Sequence, residues 1–219
     1  MKYRLAIFDL DGTVLNTLAD LTHAVNVALA ACGYPTRTQA QVCSFVGNGI
    51  KKLIARAVPA HTSQQDIARV HAAFTAYYGA HCADKTAPYE GTLSMLRELR
   101  ARGVKTAVLS NKADYATGVL CNAYFEGLFD VVAGERESEG IPKKPAPDAV
   151  LAIMVQCGVT AAETVYIGDS EVDIQTAANA GIDVISVSWG FRSADFLREN
   201  GAKVIADTPK ELEALILDA

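Results

Sequence analysis

Two aspartates, Asp9 and Asp11, stand one residue apart at the end of an apolar run, in the stretch IFDLDGTVL over residues 7–15. Carboxylates that close repel, and the repulsion raises one of the two pKa values. A cation, a shared proton or a bound substrate would favour the pairing. Residues i and i+2 of an extended segment share a face, so both carboxylates can reach one bound phosphate. With Asp9 ionised and metal-bound and Asp11 protonated, the pair would be a nucleophile beside a general acid. Gly12 lets the chain turn and bring N–H groups toward an anion. Three further stretches carry matching chemistry: Ser110-Asn111-Lys112, Lys143-Lys144-Pro145, and Gly168-Asp169-Ser170 followed by Asp173. Several carboxylates supply hard oxygen ligands of the kind Mg²⁺ takes together with phosphate and water. A hydroxyl and a lysine suit phosphate oxygens.

Those stretches need a scaffold that brings them to one edge. The apolar residues 4–8, 104–109, 130–133, 164–167 and 184–187 read as strands. Helical patterns over about 92–102, 114–124, 147–157 and 171–180 alternate with them. Alternating strands and helices imply a parallel sheet covered on both faces. Ligands of such a sheet sit beyond the carboxyl ends of its strands, where Asp9, Ser110 and Asp169 fall. Residues 17–86 differ in character. Leu18, Leu21, Val25, Ala28, Leu29 and Cys32 mark one face of a first helix. A second begins near Thr38, a third runs from about Asn48 to Val58, and Ser63 with Asp66 caps a fourth that ends near Cys82. The expectation is an α/β protein: a Rossmann-like parallel-sheet core of residues 1–16 and 87–219, with an inserted four-helix cap of residues 17–86.

Half of the residues are hydrophobic, ample for a sizeable core. The 20 basic and 25 acidic residues give a formal charge of −5 and form no basic stripe, which argues against a nucleic-acid partner. The cysteines Cys32, Cys43, Cys82, Cys121 and Cys157 are scattered without C-x-x-C spacing, as in a reducing compartment. No signal peptide is read at the start, and no stretch approaches the roughly 18 apolar residues of a membrane span. The expectation is a soluble cytoplasmic protein without a membrane partner, monomeric or homodimeric, acting on a small phosphorylated metabolite.

DLDGT at 9–13, SN at 110–111, KPAP at 144–147 and GDSEVD at 168–173 resemble, in order, the four motifs of the haloacid dehalogenase superfamily. The resemblance covers nearly the whole chain, because the helical insertion looks like that superfamily's cap. It implies Mg²⁺-dependent phosphoryl transfer. Asp9 would attack phosphorus and form an aspartyl-phosphate; Asp11 would protonate the leaving oxygen and then activate water. Asp9, the Asp11 backbone carbonyl and Asp169 would hold the metal. Ser110 and Lys144, joined by Thr13 and Asn111, would hold the phosphoryl oxygens. Asp173 would position a metal-bound water or Lys144. Asp11, which the superfamily's dehalogenases lack, favours phosphate over halide chemistry. Within the superfamily, FVGNGIKKLIARAV at 45–58, SNK at 110–112 and WGFR at 189–192 look like phosphoglycolate phosphatases. That makes 2-phosphoglycolate the leading substrate. Gly47-Asn48-Gly49 would open the third cap helix with free N–H groups, and Arg56 on that helix would bind a substrate carboxylate; the plainer readings are an ordinary turn and a solvated arginine.

Plainer readings stand beside these. Asp9 and Asp11 could be a fragment of a Ca²⁺ loop, but Gly12 comes too early for that pattern. Asp169 could merely cap the helix at 171. Lys143 rivals Lys144, Ser110 could be an ordinary loop serine, and Trp189 reads as packing. Sugar phosphomutases, nucleotidases and pyrophosphatases share this core, and a catalytically idle regulatory module is the non-enzymatic alternative.

Overall fold

A computed structural model describes residues 2–218. Contacts divide them into two compact units, one of residues up to 15 together with 88 onward, the other of residues 16–87. Two-residue strands, β2 (Leu15–Asn16) and β3 (Ala87–Pro88), mark the crossings.

The first unit is built on a six-stranded sheet. Its strands are β1 (Leu5–Phe8), β4 (Lys105–Ala113), β5 (Val131–Glu135), β6 (Thr164–Gly168), β7 (Asp183–Val187) and β8 (Ile205–Ala206). Their order is β5-β4-β1-β6-β7-β8, with every pairing parallel. β1 is therefore central, and the chain leaves it toward β4 on one side and β6 on the other. Leu5, Ala6, Ile7 and Phe8 are all fully buried, as expected of a strand covered on both faces. The covering helices are α5 (Thr92–Ala101), α6 (Asp114–Phe125), α7 (Asp148–Cys157), α8 (Glu171–Ala180), α9 (Ala194–Glu199) and α10 (Pro209–Leu217). One core layer joins Leu5, Ile7, Leu109, Tyr166 and Ala177 to Val150, Ile153 and Met154 of α7.

The parallel sheet and its four alternating helices agree with the sequence pattern. Besides the two-residue β2 and β3, the elements β8, α9 and α10 lie outside that pattern. β8 is two residues long, and α9 has only six, too short for a periodic apolar face to stand out. The second difference lies at the end of β4, which runs on through Ser110, Asn111 and Lys112 instead of stopping at Leu109. Its register against β5 shifts between Leu109 and Ala113.

The second unit is helical, with α1 (Leu18–Ala31), α2 (Gln39–Phe45), α3 (Ile50–Ala57) and α4 (Gln64–His81). Leu21, Val25, Leu29, Val42, Ile54, Val70, Phe74 and Tyr78 are buried, and the Phe74 and Tyr78 rings stack at 5.2 Å. Thr38 and Ser63 cap α2 and α4 through their hydroxyls. Buried Asp20 on α1 accepts from Lys85 N, Thr86 N and Thr86 Oγ1 at 2.8–3.1 Å. This carboxylate fastens the end of the insertion to its beginning.

Candidate active site

Asp9 follows β1 directly, and its backbone N–H continues the β6 ladder by donating to Ile167 O at 2.8 Å. Its side chain is thus fixed by the central strand. Asp9 Oδ1 accepts from Leu10 N at 2.7 Å and faces Lys144 Nζ at 3.1 Å. Gly12, at φ 86°, turns the chain back, and its N–H meets Leu15 O at 2.9 Å. A Cβ at Gly12 would lie within 3.0 Å of the Asp169 carboxylate. That turn therefore demands glycine on two grounds, conformation and space.

Asp169 follows β6 and is 2% exposed. Its Oδ1 accepts from Thr13 Oγ1 at 3.0 Å and its Oδ2 from Phe191 N at 2.7 Å. Both donors are neutral, and among the described residues no ion pair reaches this carboxylate. The helix cap belongs to Ser170, the N-cap of α8, whose N–H and hydroxyl donate to Asp173 Oδ2 at 3.1 and 2.6 Å. Asp169 is thus left to do something other than cap. The single O–H of Thr13 is directed at Asp169 and orients that carboxylate.

Lys144, 4% exposed, lies between Asp173 Oδ1 at 2.7 Å and Asp9 Oδ1 at 3.1 Å. The Lys144–Pro145 peptide is cis. Burial alone would lower the Lys144 pKa, but Asp173 and Asp9 outweigh it and hold the ammonium well above its ordinary value. Lys143 is excluded as the rival, since it pairs with Glu137 at the surface at 2.8 Å. Asn111 Nδ2 donates to Lys144 O at 3.1 Å, tying the end of β4 to the loop that carries the lysine. Ser110 is buried, and its Oγ accepts from Lys112 N at 3.3 Å.

Asp11 is not among the clustered carboxylates. Asp9, Asp169 and Asp173 offer oxygens within 4.8 Å of one another, whereas Asp11 Oδ2 pairs with Lys112 Nζ at 3.0 Å. Lys112 was missed as a site residue. The same alternation that groups Asp9 with Asp11 groups Ser110 with Lys112, and that was the available signal. The WGFR segment was read only as a resemblance, yet it builds one wall. Trp189 Nε1 donates to Thr13 O at 2.9 Å, Phe191 N binds Asp169, and a Cβ at Gly190 would fall within 3.0 Å of Asp169 and the Gly12 carbonyl oxygen. Such a contact between distant residues leaves no local pattern.

The residues fit a divalent cation. Burial, then Asp173 and Asp9, push Asp169 up to about 8. Burial also raises Asp9 to about 7, despite the opposing pull of Lys144. Both carboxylates need a positive charge to stay ionised at neutral pH. Apart from the Asp11–Lys112 pair, Asp9, Asp169 and Asp173 have between them the single ammonium of Lys144, which leaves two negative charges when all three are ionised, the number one divalent ion neutralises. Asp173 has both oxygens committed to Lys144 and Ser170, so Asp9 and Asp169 are the carboxylates placed to bind it.

Gly47, Asn48, Gly49 and Arg56 belong to the helical unit and form a group of their own. Gly49 is the N-cap of α3, and Gly47 and Gly49 have φ of 119° and 84°. Arg56 donates to Phe45 O at 2.8 Å and Asn48 Oδ1 at 2.7 Å, bracing the turn that precedes its own helix. None of the five cysteines is in a disulfide, and no helix among the described residues is long and apolar enough to cross a membrane.

Comparison with known proteins agrees with this geometry. A family profile described as haloacid dehalogenase-like hydrolase matches residues 6–187. A phosphoglycolate phosphatase of Thiobacillus denitrificans is 32% identical over 196 residues, 87% of this chain and 86% of the relative. A crystal structure from Lactobacillus delbrueckii subsp. bulgaricus, provisionally assigned as a phosphoglycolate phosphatase, superposes with a TM-score of 0.95 at 41% identity, covering 100% of both chains. A variant of CbbY from Rhodobacter sphaeroides, crystallised in complex with xylulose-1,5-bisphosphate, gives a TM-score of 0.74 at 26% identity, covering 97% of this chain and 96% of that one.

Proposed function

The chain belongs to the haloacid dehalogenase-like hydrolases, and from that premise we propose that it hydrolyses a small phosphate monoester, 2-phosphoglycolate first among candidates, through an aspartyl-phosphate on Asp9. The observation that carries this reading is the convergence of two buried carboxylates beside the Asp11 side chain: Asp9, which must share the Lys144 ammonium with Asp173, and Asp169, which has no ion-pair partner among the described residues. Bound Mg²⁺ would neutralise charge at this site and supply Lewis acidity to the phosphoryl oxygens; Asp9, Asp169 and the Asp11 carbonyl would hold it.

The chain's own groups divide the remaining work. Asp9 is fixed by β1 and attacks phosphorus. Lys144, oriented by Asp173, and Ser110 hold the transferring oxygens. Asp11 gives a proton to the leaving oxygen as the ester bond breaks, then accepts one from the water that cleaves the acyl phosphate. Thr13, Phe191 and Gly190 keep the Asp169 carboxylate in place. In the helical unit, which serves as the cap, the Gly47–Gly49 turn and Arg56 select for a carboxylate on the substrate.

Preference for 2-phosphoglycolate is supported by the likeness to phosphoglycolate phosphatases over most of the chain. A sugar phosphate is the second reading, and the similarity to CbbY bound to a sugar bisphosphate is what favours it. A phosphate-release panel of about a hundred phosphorylated metabolites with Mg²⁺, spanning the usual KM range of about 1 μM to 1 mM, separates them. The proposal expects the highest kcat/KM for 2-phosphoglycolate. Faster turnover of a sugar phosphate or a nucleotide overturns the substrate assignment, and no turnover of any phosphate ester overturns the activity itself.

A further inference from the structure

The end of β4 is built to deliver one side chain to Asp11. Where the ladder between β4 and β5 loses register, between Leu109 and Ala113, the strand is free to re-aim its side chains. Gly134 on β5 makes room for this. A Cβ there would lie within 3.0 Å of Lys112 O and of the Asp114 backbone. The Lys112 backbone is held as well, its N–H by Ser110 Oγ at 3.3 Å and its carbonyl by the Thr117 hydroxyl at 3.4 Å. The result is an ammonium on a side chain only 2% exposed, 3.0 Å from Asp11 Oδ2. The other oxygen, Asp11 Oδ1, is buried and has no hydrogen-bond partner. Lys144, the second buried ammonium, is occupied with Asp9 and Asp173, so the two lysines serve different carboxylates.

We propose that Lys112 is the positioning residue of the acid–base aspartate: it grips Asp11 by Oδ2, so that Oδ1 is the oxygen that exchanges protons with the reacting groups. The inference rests on the role given to Asp11 above. In the first half-reaction the bond from Asp9 to phosphorus forms, the ester P–O bond breaks, and the leaving oxygen takes the electron pair together with the proton of Asp11 Oδ1. In the second, water oxygen bonds to phosphorus, the Asp9–phosphorus bond breaks, and a water proton returns to Oδ1. A carboxylate held by neither oxygen would rotate, and the proton would leave or arrive from a poorer angle.

The test compares an alkyl phosphate with 4-nitrophenyl phosphate, whose leaving group needs no proton. Enzyme with Mg²⁺ is measured as wild type, Lys112→Met, Lys112→Arg, Asp11→Asn and the Lys112→Met/Asp11→Asn double variant. Loss of a supporting partner of an active group commonly costs roughly 10- to 100-fold. Lys112→Met should therefore lose kcat by that order on the alkyl phosphate and much less on the aryl one, with KM nearly unchanged. Lys112→Arg, which keeps the donor, should restore part of the loss, and the double variant should be no slower than Asp11→Asn alone. Equal losses on both substrates, additive losses in the double variant, or no loss at all overturn the inference. Thermal melts check folding; if Lys112→Met does not fold, Lys112→Gln takes its place under the same criteria. Asp11→Asn without leaving-group dependence would sink the role of Asp11 itself. Selective loss in Asp11→Asn without it in Lys112→Met would sink the Lys112 inference alone.

Discussion

Asp173 lies 2.7 Å from Lys144 Nζ, closer than Asp9 at 3.1 Å, and its other oxygen is held by Ser170. The lysine therefore has an anchor that does not depend on Asp9. Asp173 has no exposed surface, and a Cβ at Gly168 would fall within 3.0 Å of its carboxylate. Removing one member of a buried ion pair costs about 3–5 kcal/mol. Asp173→Ala should lower the unfolding free energy read from urea titration by an amount in that range and reduce kcat/KM on every phosphate ester alike. A variant with wild-type stability and activity would show that the pair matters to neither.

The leaving group reports on Asp11. General acid help is worth about 10²- to 10⁴-fold. Asp11→Asn should lose alkyl phosphate turnover by that order and lose less with an aryl phosphate. Equal losses would make Asp11 structural or electrostatic.

The pH dependence has a definite sign. Asp9 at about 7 and Asp169 at about 8 sit above the ordinary carboxylate value of 3.8. Between those values the folded, metal-free protein holds protons that the unfolded chain has released, so stability falls as pH rises from about 4 to about 8. Mg²⁺ must displace those protons at low pH. The Mg²⁺-induced rise in melting temperature should be larger at pH 8 than at pH 5.5, and Asp169→Asn should flatten the slope. A Mg²⁺ effect of equal size at both values would contradict this account.

Gly190 tests the wall around Asp169. An alanine Cβ there meets the Gly12 carbonyl and Asp169, whose carboxylate is already held by Thr13 and Phe191. Gly190→Ala should weaken Mg²⁺ binding by roughly 10- to 100-fold, as outer-shell changes do, read by titration calorimetry and by the Mg²⁺ dependence of activity. Unchanged affinity would mean that the wall yields and Asp169 has slack.

What the sequence disclosed followed from local pattern. Strands β1, β4, β5, β6 and β7 announced themselves as short apolar runs, and their carboxyl ends carried Asp9, Ser110 and Asp169 in plain view. The resemblance places Thr13 with the phosphate, and its hydrogen bond to Asp169, 156 residues away in sequence, shows only in the fold. Gly190 and Phe191 escaped for the same reason, because the end of β7 reaches Asp169 only once the sheet has formed. Lys112 lay within a motif already quoted. Two buried ammonium groups make sense only once the carboxylates around them, Asp11 for Lys112 and Asp9 with Asp173 for Lys144, are seen in the fold.

The central claim is that Asp9 carries the phosphoryl group in a Mg²⁺-dependent hydrolysis. Its most direct measurement is phosphate release from 2-phosphoglycolate by wild type and Asp9→Asn, each with Mg²⁺ and with a chelator, in protein shown by circular dichroism to be folded. The account predicts turnover only for wild type with Mg²⁺. Phosphate release that persists in Asp9→Asn, or in wild type stripped of divalent metal, would contradict it.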